Sequence, residues 1–192
     1  MIFSEIPIYL ASKSPRRKEM LKMLGIPFQT VNINLDEKII RSHSPLKNVK
    51  RLADEKCKLA LSEIKEGIVI SADTIVVVDR KIIGKPSNKS DAKNILNQLS
   101  GRNHFVYTGF AVANKSSEKK ILDYSKTEVF FRKITPTEIK NYISTGSPMD
   151  KAGAYGIQDD FGAVFVKRIN GCYYNVIGFP VSKIYDALKS IV

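Results

Sequence analysis

Residues 68–86, IVISADTIVVVDRKIIGKP, constrain the fold of this chain more than any other stretch. Ile and Val dominate it, and their branched, stiff side chains suit the pleated surface of a strand. IVISA reads as a buried strand. It leads through Asp73-Thr74 into two further apolar runs, IVVV and KII, on either side of an Asp79-Arg80 turn. A strand with so few polar positions belongs inside a layered domain.

Helical segments that could cover it lie on both sides in sequence. In SPLKNVKRLADEKCKLALSEIKEG, Ser44 is a cap and Pro45 a first helical residue; Val49, Leu52, Ala53, Ala60 and Ile64 line one side, and Gly67 is a stop. SDAKNILNQLSG gives a capped helix from Ser90 to Gly101. TPTEIKNYISTG carries a capping box, with Thr135 as cap, Pro136 first and Glu138 third. VSKIYDALKSIV is amphipathic, with Val181, Ile184, Tyr185, Leu188 and Ile191 facing inward. IPIYLAS, FQTVNIN, HFVYTGFAVAN and KILDYSKTEVFFRKI read as strands, and AVFVKRINGCYYNVIG as a hairpin turning at Asn170-Gly171. Both periods mixed along one chain predict a mixed α/β architecture, and 192 residues fit one domain, 1–192.

No apolar run reaches the length of a membrane span, and MIFSEIPIYLAS, with Glu5 and Pro7, reads as a first strand rather than a signal peptide. Cys57 and Cys172 belong to no CxxC or Cys/His pair, which predicts reduced thiols in a cytoplasmic protein. His43 and His104 are too far apart in sequence, and too far from any thiol, to predict a zinc site. P-loop, GxGxxG, GxSxG and HExxH motifs are absent. The formal net charge of +12 attracts polyanions, but the basic residues are spread along the chain without a block of five or six.

The chemistry-bearing residues begin in LASKSPRRKEML. Ser14 and Pro15 open a helix, Met20, Leu21 and Leu24 give it an apolar stripe, and Gly25 stops it. Its first turn holds Arg16, Arg17 and Lys18, where the helix dipole disfavours cations. Either these side chains simply point to solvent, or an anion reverses the penalty. The preceding strand and short turn favour a phosphate site at the helix start. Bound phosphates that react need a cation and carboxylates to hold it. Asp73, after IVISA, is a candidate, with a turn or cap role as the plain alternative; Asp36-Glu37 is a weaker acidic pair after FQTVNIN. Lys85, between a strand and Pro86, is a phosphate candidate or a surface residue. The glycine-rich stretch STGSPMDKAGAYGIQDD permits close backbone approach to a ligand, and the Gln158 amide could pair with a base edge; a loop packed for its own sake is the other reading.

LASKSPRRKEMLKMLG, SADTIVVVDRKIIGKP, LSGRNHFVYTG, SPMDKAGAYGIQ and FVKRINGCYYNVIGFPVSKIYDAL resemble, in order and spacing, the Maf-like nucleoside triphosphate pyrophosphatases, over nearly the whole chain. The form DKAGAYGIQ is similar to the branch acting on dTTP and UTP rather than on a methylated GTP. The resemblance implies a twisted central mixed β-sheet flanked by helices, in two lobes with a nucleotide cleft between them. It also implies house-cleaning hydrolysis of dTTP, UTP and modified pyrimidine triphosphates to the monophosphate and pyrophosphate, with Mg²⁺ or Mn²⁺. Asp73 then matches the catalytic base and metal ligand, and Glu37 the acidic partner on the metal. Ser12, Arg16, Arg17, Lys56 and Lys85 match triphosphate contacts, while Thr74 and Gln158 match positions that choose the base. A homodimer follows from the same resemblance; the lack of a long apolar run predicts no membrane, and the lack of a basic helix, helix-turn-helix pair or RNP-like motif predicts no specific nucleic acid partner. One departure is Asp159-Asp160 where the family carries Gly after the glutamine. A nucleic-acid binder without hydrolysis is the alternative that the charge leaves open, and the family's association with septum formation implies a regulator of cell division as another.

Overall fold

The computed structural model describes residues 6–158 and 161–192. The strands are β1 (Ile8–Ala11), β2 (Gln29–Thr30), β3 (Ile68–Val78), β4 (Lys81–Ile83), β5 (Asn103–Asn114), β6 (Lys120–Phe131) and β7 (Val166–Asn170). The helices are α1 (Pro15–Met23), α2 (Pro45–Glu63), α3 (Lys89–Leu99), α4 (Pro136–Ser144), α5 (Tyr173–Ile177) and α6 (Val181–Ile191). The strands form one mixed sheet in the order β2-β1-β3-β5-β6-β7, with β4 paired to β3. β1 runs parallel to both β2 and β3, whereas the β3/β4 and β6/β7 pairs are antiparallel. None of the helices among the described residues is long and apolar enough to cross a membrane.

The described residues of Met1–Asp73, with Thr108–Ser125 and Gly178–Val192, form one compact unit. Thr74–Tyr107 with Lys126–Ile177 forms a second. In the first, α2 lies on the sheet so closely that a Cβ at Gly109 of β5 would come within 2.4 Å of the Val49 carbonyl oxygen. The Ser71 hydroxyl on β3 donates to the Ala53 carbonyl oxygen of the same helix at 2.7 Å. Cys57, Ala60, Ile64, Val69, Ala111 and Ala113 pack together beneath it. Cys57 and Cys172 are both free, and burial pushes the Cys57 thiol up to about 11.

The second unit builds its core from α3, α4 and the inward faces of β5 and β6, with Leu96, Leu99, Ile139, Tyr142 and Phe165 at its centre. His104 is part of this core. It is 1% exposed, packs edge-on against Phe131 and Tyr155, and shares a 2.8 Å hydrogen bond between Nε2 and the Tyr155 hydroxyl. Burial pulls its pKa down to about 3. The folded pKa lies below the unfolded one, so the stabilisation is complete above about pH 6.5 and is lost as pH falls towards 3. Stability should therefore decline by up to about 1.4 kcal/mol per pH unit below pH 6 from this residue. Urea midpoints at pH 7 and pH 5 check this, with a shallower pH slope expected for His104→Phe.

Several local expectations hold. Ser44 caps α2 by accepting from the Lys47 amide, and Thr135 and Glu138 form the reciprocal capping box of α4. Gly25 takes a left-handed φ of 64° after α1. Others are corrected. The strand beginning at IVISA does not end at Ala72 but runs unbroken through Asp73 to Val78, and then turns at Asp79-Arg80, both with positive φ, into β4. FQTVNIN contributes only Gln29–Thr30 as strand. α2 ends at Glu63, before Gly67, and α3 is capped by the Asn88 side chain rather than by Ser90.

The hairpin predicted at Asn170-Gly171 is not formed. β7 pairs with β6, and the chain continues into α5. The reason is tertiary. The buried Asn175 amide donates to the Val106 carbonyl oxygen and the Thr127 hydroxyl, while Thr127 donates to the Cys172 carbonyl oxygen. These bonds draw residues 172–177 against β5 and β6 instead of into a partner strand for β7.

Candidate active site

Asp73 lies within its own strand but just beyond the end of a neighbouring one. β1 pairs in parallel with β3 up to Ala11 opposite Ser71, so β1 leaves the sheet two residues before Asp73. The departing chain, Ser12-Lys13-Ser14, leads directly into α1. Asp73 and the α1 amino end are thereby brought to the same edge of the first unit, the place where open α/β sheets bind ligands.

Ser14 occupies the cap position of α1, but its side chain makes no capping hydrogen bond; its amide donates instead to the Ser12 hydroxyl at 3.2 Å. Arg17 binds the chain itself. Its Nε donates to the Gly178 carbonyl oxygen at 2.8 Å, and its Nη1 to the Ala72 carbonyl oxygen at 2.8 Å and the Ser12 hydroxyl at 3.2 Å. It thus ties α1 to the residue preceding Asp73. Burial lowers the Arg17 pKa, opposed by the Asp73 and Glu37 carboxylates, with Arg16 adding to the lowering. A guanidinium stays charged under such a shift. Arg16, half-buried on the same turn, adds a second guanidinium to this end of the helix.

At the centre stands the Lys56 ammonium. From α2, its Nζ lies 2.6 Å from Asp73 Oδ1 and 2.6 Å from Glu37 Oε1. The Lys56 and Asp73 side chains are 7% and 8% exposed, whereas that of Glu37 is 48% exposed, so one carboxylate is sealed and the other meets solvent. Burial raises the Asp73 pKa above the ordinary carboxylate range, against the pull of Lys56 and Arg17 and with a small push from Glu37. A buried carboxyl with a raised pKa is a better proton acceptor than one in water, while the cations keep its charged form accessible. Removing the ammonium leaves a buried charge uncompensated. Lys56→Ala should cost about 3 kcal/mol of stability, read from urea denaturation.

The resemblance implies a divalent cation, and the donor set fits one. Magnesium is commonly held by one or two carboxylates, its other positions going to water and substrate phosphate oxygens. Glu37 and Asp73 offer two carboxylates to a single point, where the Lys56 ammonium now stands. No group of three or more His, Cys, Asp and Glu gathers among the described residues, so a cation here would complete its shell from the ligand.

Ser12, Arg17, Glu37, Lys56 and Asp73 therefore converge in the first unit, with Arg16 beside them. Thr74, next to Asp73 along β3, Lys85 and Gln158 belong to the second unit. There Lys85 is exposed after β4, and Gln158 is half-buried with its Oε1 buried and lacking a hydrogen-bond partner. Asp159-Asp160, the departure noted in the sequence, lie outside the described residues. Asn48 and Arg51 of α2, which hold the segment bearing Glu37, belong to no sequence motif. The one signal in the sequence is a polar Asn beside Val49 on the buried side of an amphipathic helix.

Two arginines, a lysine and a hydroxyl thus gather around paired carboxylates at this edge of the first unit. The chain belongs to the Maf-like protein family, whose model matches residues 7–191. Its relatives include a dTTP/UTP pyrophosphatase of Chlorobium phaeovibrioides, 45% identical over 96% of this chain and 97% of the relative. The dTTP/UTP pyrophosphatase of Caldanaerobacter subterraneus subsp. tengcongensis is 49% identical over 95% of this chain and 87% of its own length. That of Clostridioides difficile is 44% identical over 95% and 93%.

Proposed function

We propose that this chain is a nucleoside triphosphate pyrophosphatase that hydrolyses dTTP, UTP and modified pyrimidine triphosphates to the monophosphate and pyrophosphate. The reading gives it a cytoplasmic house-cleaning role, as one family domain acting as a homodimer. The observation that carries it is the Glu37–Lys56–Asp73 cluster beside the arginine-bearing start of α1, in a chain close to full-length dTTP/UTP pyrophosphatases.

The chemistry follows from charge. Arg16, the Ser12 hydroxyl and the positive end of the α1 dipole receive the triphosphate; Arg17 holds Ser12 in place and adds positive field. A divalent cation bound by Glu37 and Asp73 would neutralise phosphate charge and polarise the α-phosphate. Asp73 orients a water towards the α-phosphorus and takes its proton. The new P–O bond forms as the bond from that phosphorus to the bridging oxygen breaks, and the electron pair leaves on pyrophosphate. No covalent enzyme intermediate is needed, since positioning and electrostatic stabilisation supply most of the acceleration in phosphoryl transfer. Lys56 keeps the two carboxylates together and charged before substrate arrives. By the family resemblance, Thr74 and Gln158 read the base, a side-chain amide offering both a donor and an acceptor to its edge.

The test is pyrophosphate release from canonical and modified triphosphates, with and without Mg²⁺ or Mn²⁺. dTTP and UTP should turn over fastest, giving monophosphate and pyrophosphate in equal amounts and only with the cation. Release of orthophosphate alone, or equal rates for purines, would overturn the reading.

A further inference from the structure

Glu37 lies in residues 31–44, a segment without strand or helix between β2 and α2. Such a segment has no ladder of its own to fix a side chain at a chosen point. What fixes it is α2. Asn48 is fully buried, at 0% exposure, and all of its side-chain capacity is spent on this segment and its junction with the helix. The Ile40 amide donates to Asn48 Oδ1 at 2.9 Å, and Nδ2 donates to the carbonyl oxygens of Ile40 at 3.1 Å, His43 at 3.3 Å and Ser44 at 3.3 Å. One turn further along, Arg51 Nη2 donates to the Lys38 carbonyl oxygen, the residue after Glu37, while its Nη1 is held on both oxygens of Glu55 at 2.9 and 2.8 Å. Lys56, which Glu37 meets, is on the same helix.

An Asn that gives both donor and acceptor to one backbone residue imitates a strand partner. Its burial makes the bonds costly to leave unmade. Nothing in helix formation calls for it, since Asn is a poor interior helix residue, and the Ser44 side chain already caps this helix. We infer that Asn48, with Arg51, is a positioning residue that straps residues 38–44 onto α2 and so sets the Glu37 carboxylate against Lys56 and the cation site. The strap itself is a matter of geometry; its consequence for turnover rests on the pyrophosphatase reading.

The experiment pairs Asn48→Ala with Glu37→Gln. Asn48→Ala alone should lower kcat for UTP by about 10- to 100-fold, with KM little changed and more Mg²⁺ needed for half-maximal rate, as when a group orienting a metal ligand is lost. In the Glu37→Gln background the same change should cost almost nothing further, because the carboxylate it positions is gone. Exchange of the Ile40 amide, followed by NMR, should speed up at least about tenfold in Asn48→Ala. An equal fractional loss of kcat in both backgrounds would mean a general structural role and overturn the inference, as would unaltered Ile40 exchange. Should Asn48→Ala not fold, Arg51→Gln carries the same cycle, with exchange read at the amides of 38–40. Absence of pyrophosphate release from wild type would sink the pyrophosphatase reading, and Ile40 exchange would then decide the strap alone.

Discussion

Asp73→Asn is expected to lower kcat for dTTP and UTP by at least about 1000-fold, towards the upper range for loss of a general base. The amide keeps the shape of the carboxylate but cannot take a proton from water, and it is a poor cation ligand. The fold should survive the change. The strand around Asp73 is bonded through its backbone, the Ser71 hydroxyl still reaches α2, and Lys56 keeps Glu37 as its partner. The substitution also removes a charge that burial disfavours. Unfolding midpoints close to wild type, together with lost pyrophosphate release, are the expected pair of results. Near-normal turnover by a folded Asp73→Asn protein would remove Asp73 from the mechanism.

Gly109→Ala should lower stability about as much as the loss of the Lys56 ammonium. The added methyl would meet the Val49 carbonyl oxygen at 2.4 Å, the Val49 carbonyl carbon at 2.5 Å and the Lys50 nitrogen at 2.8 Å. All three are helix backbone, so no side chain can swing aside, and α2 itself must move. Overpacking of this kind should cost about 3 kcal/mol, and more if the helix resists. In a chain of this size that corresponds to a fall in Tm of about 10 °C. Activity should fall as well, because Lys56 travels with the helix while Asp73 stays on β3. Gly84→Ala is the control: nothing lies within 4 Å of a methyl there, and the expected change is under about 0.5 kcal/mol.

Elements whose cause is local were legible. The Ser44-Pro45 start of α2 and the Thr135/Glu138 box of α4 depend on hydrogen bonds within one turn, and the sequence spacing announces them. Where a distant partner decides, the reading failed. Asn-Gly is a strong turn signal, yet the bonds from Asn175 to Val106 and Thr127 outweighed it. A carboxylate that interrupts an apolar run reads as a strand end, which places Asp73 at the close of IVISA. The strand runs on through Asp73, and Lys56 meets that buried carboxylate, an encounter with no trace in the local pattern. The place of Arg17 in the first turn of α1 predicts a phosphate contact. The bonds to Ala72, Ser12 and Gly178 that make it a tie within the protein come from residues up to 161 positions away. The resemblance alone points to Lys56, as a phosphate contact, and nothing in the sequence pairs its ammonium with Glu37, since a loop residue and a helix residue share no periodicity.

Because α2 bears Lys56 together with Asn48 and Arg51, the spacing between the Glu37 carboxylate and the ammonium is gauged along a single rigid rod. The Asp73 carboxylate is gauged from the sheet instead. Sliding of that rod over β3 and β5 would open the Lys56–Asp73 contact and leave the Lys56–Glu37 contact closed. The two halves of the cluster thus answer to different mechanical references, and the tight seat at Gly109 is what keeps those references in register.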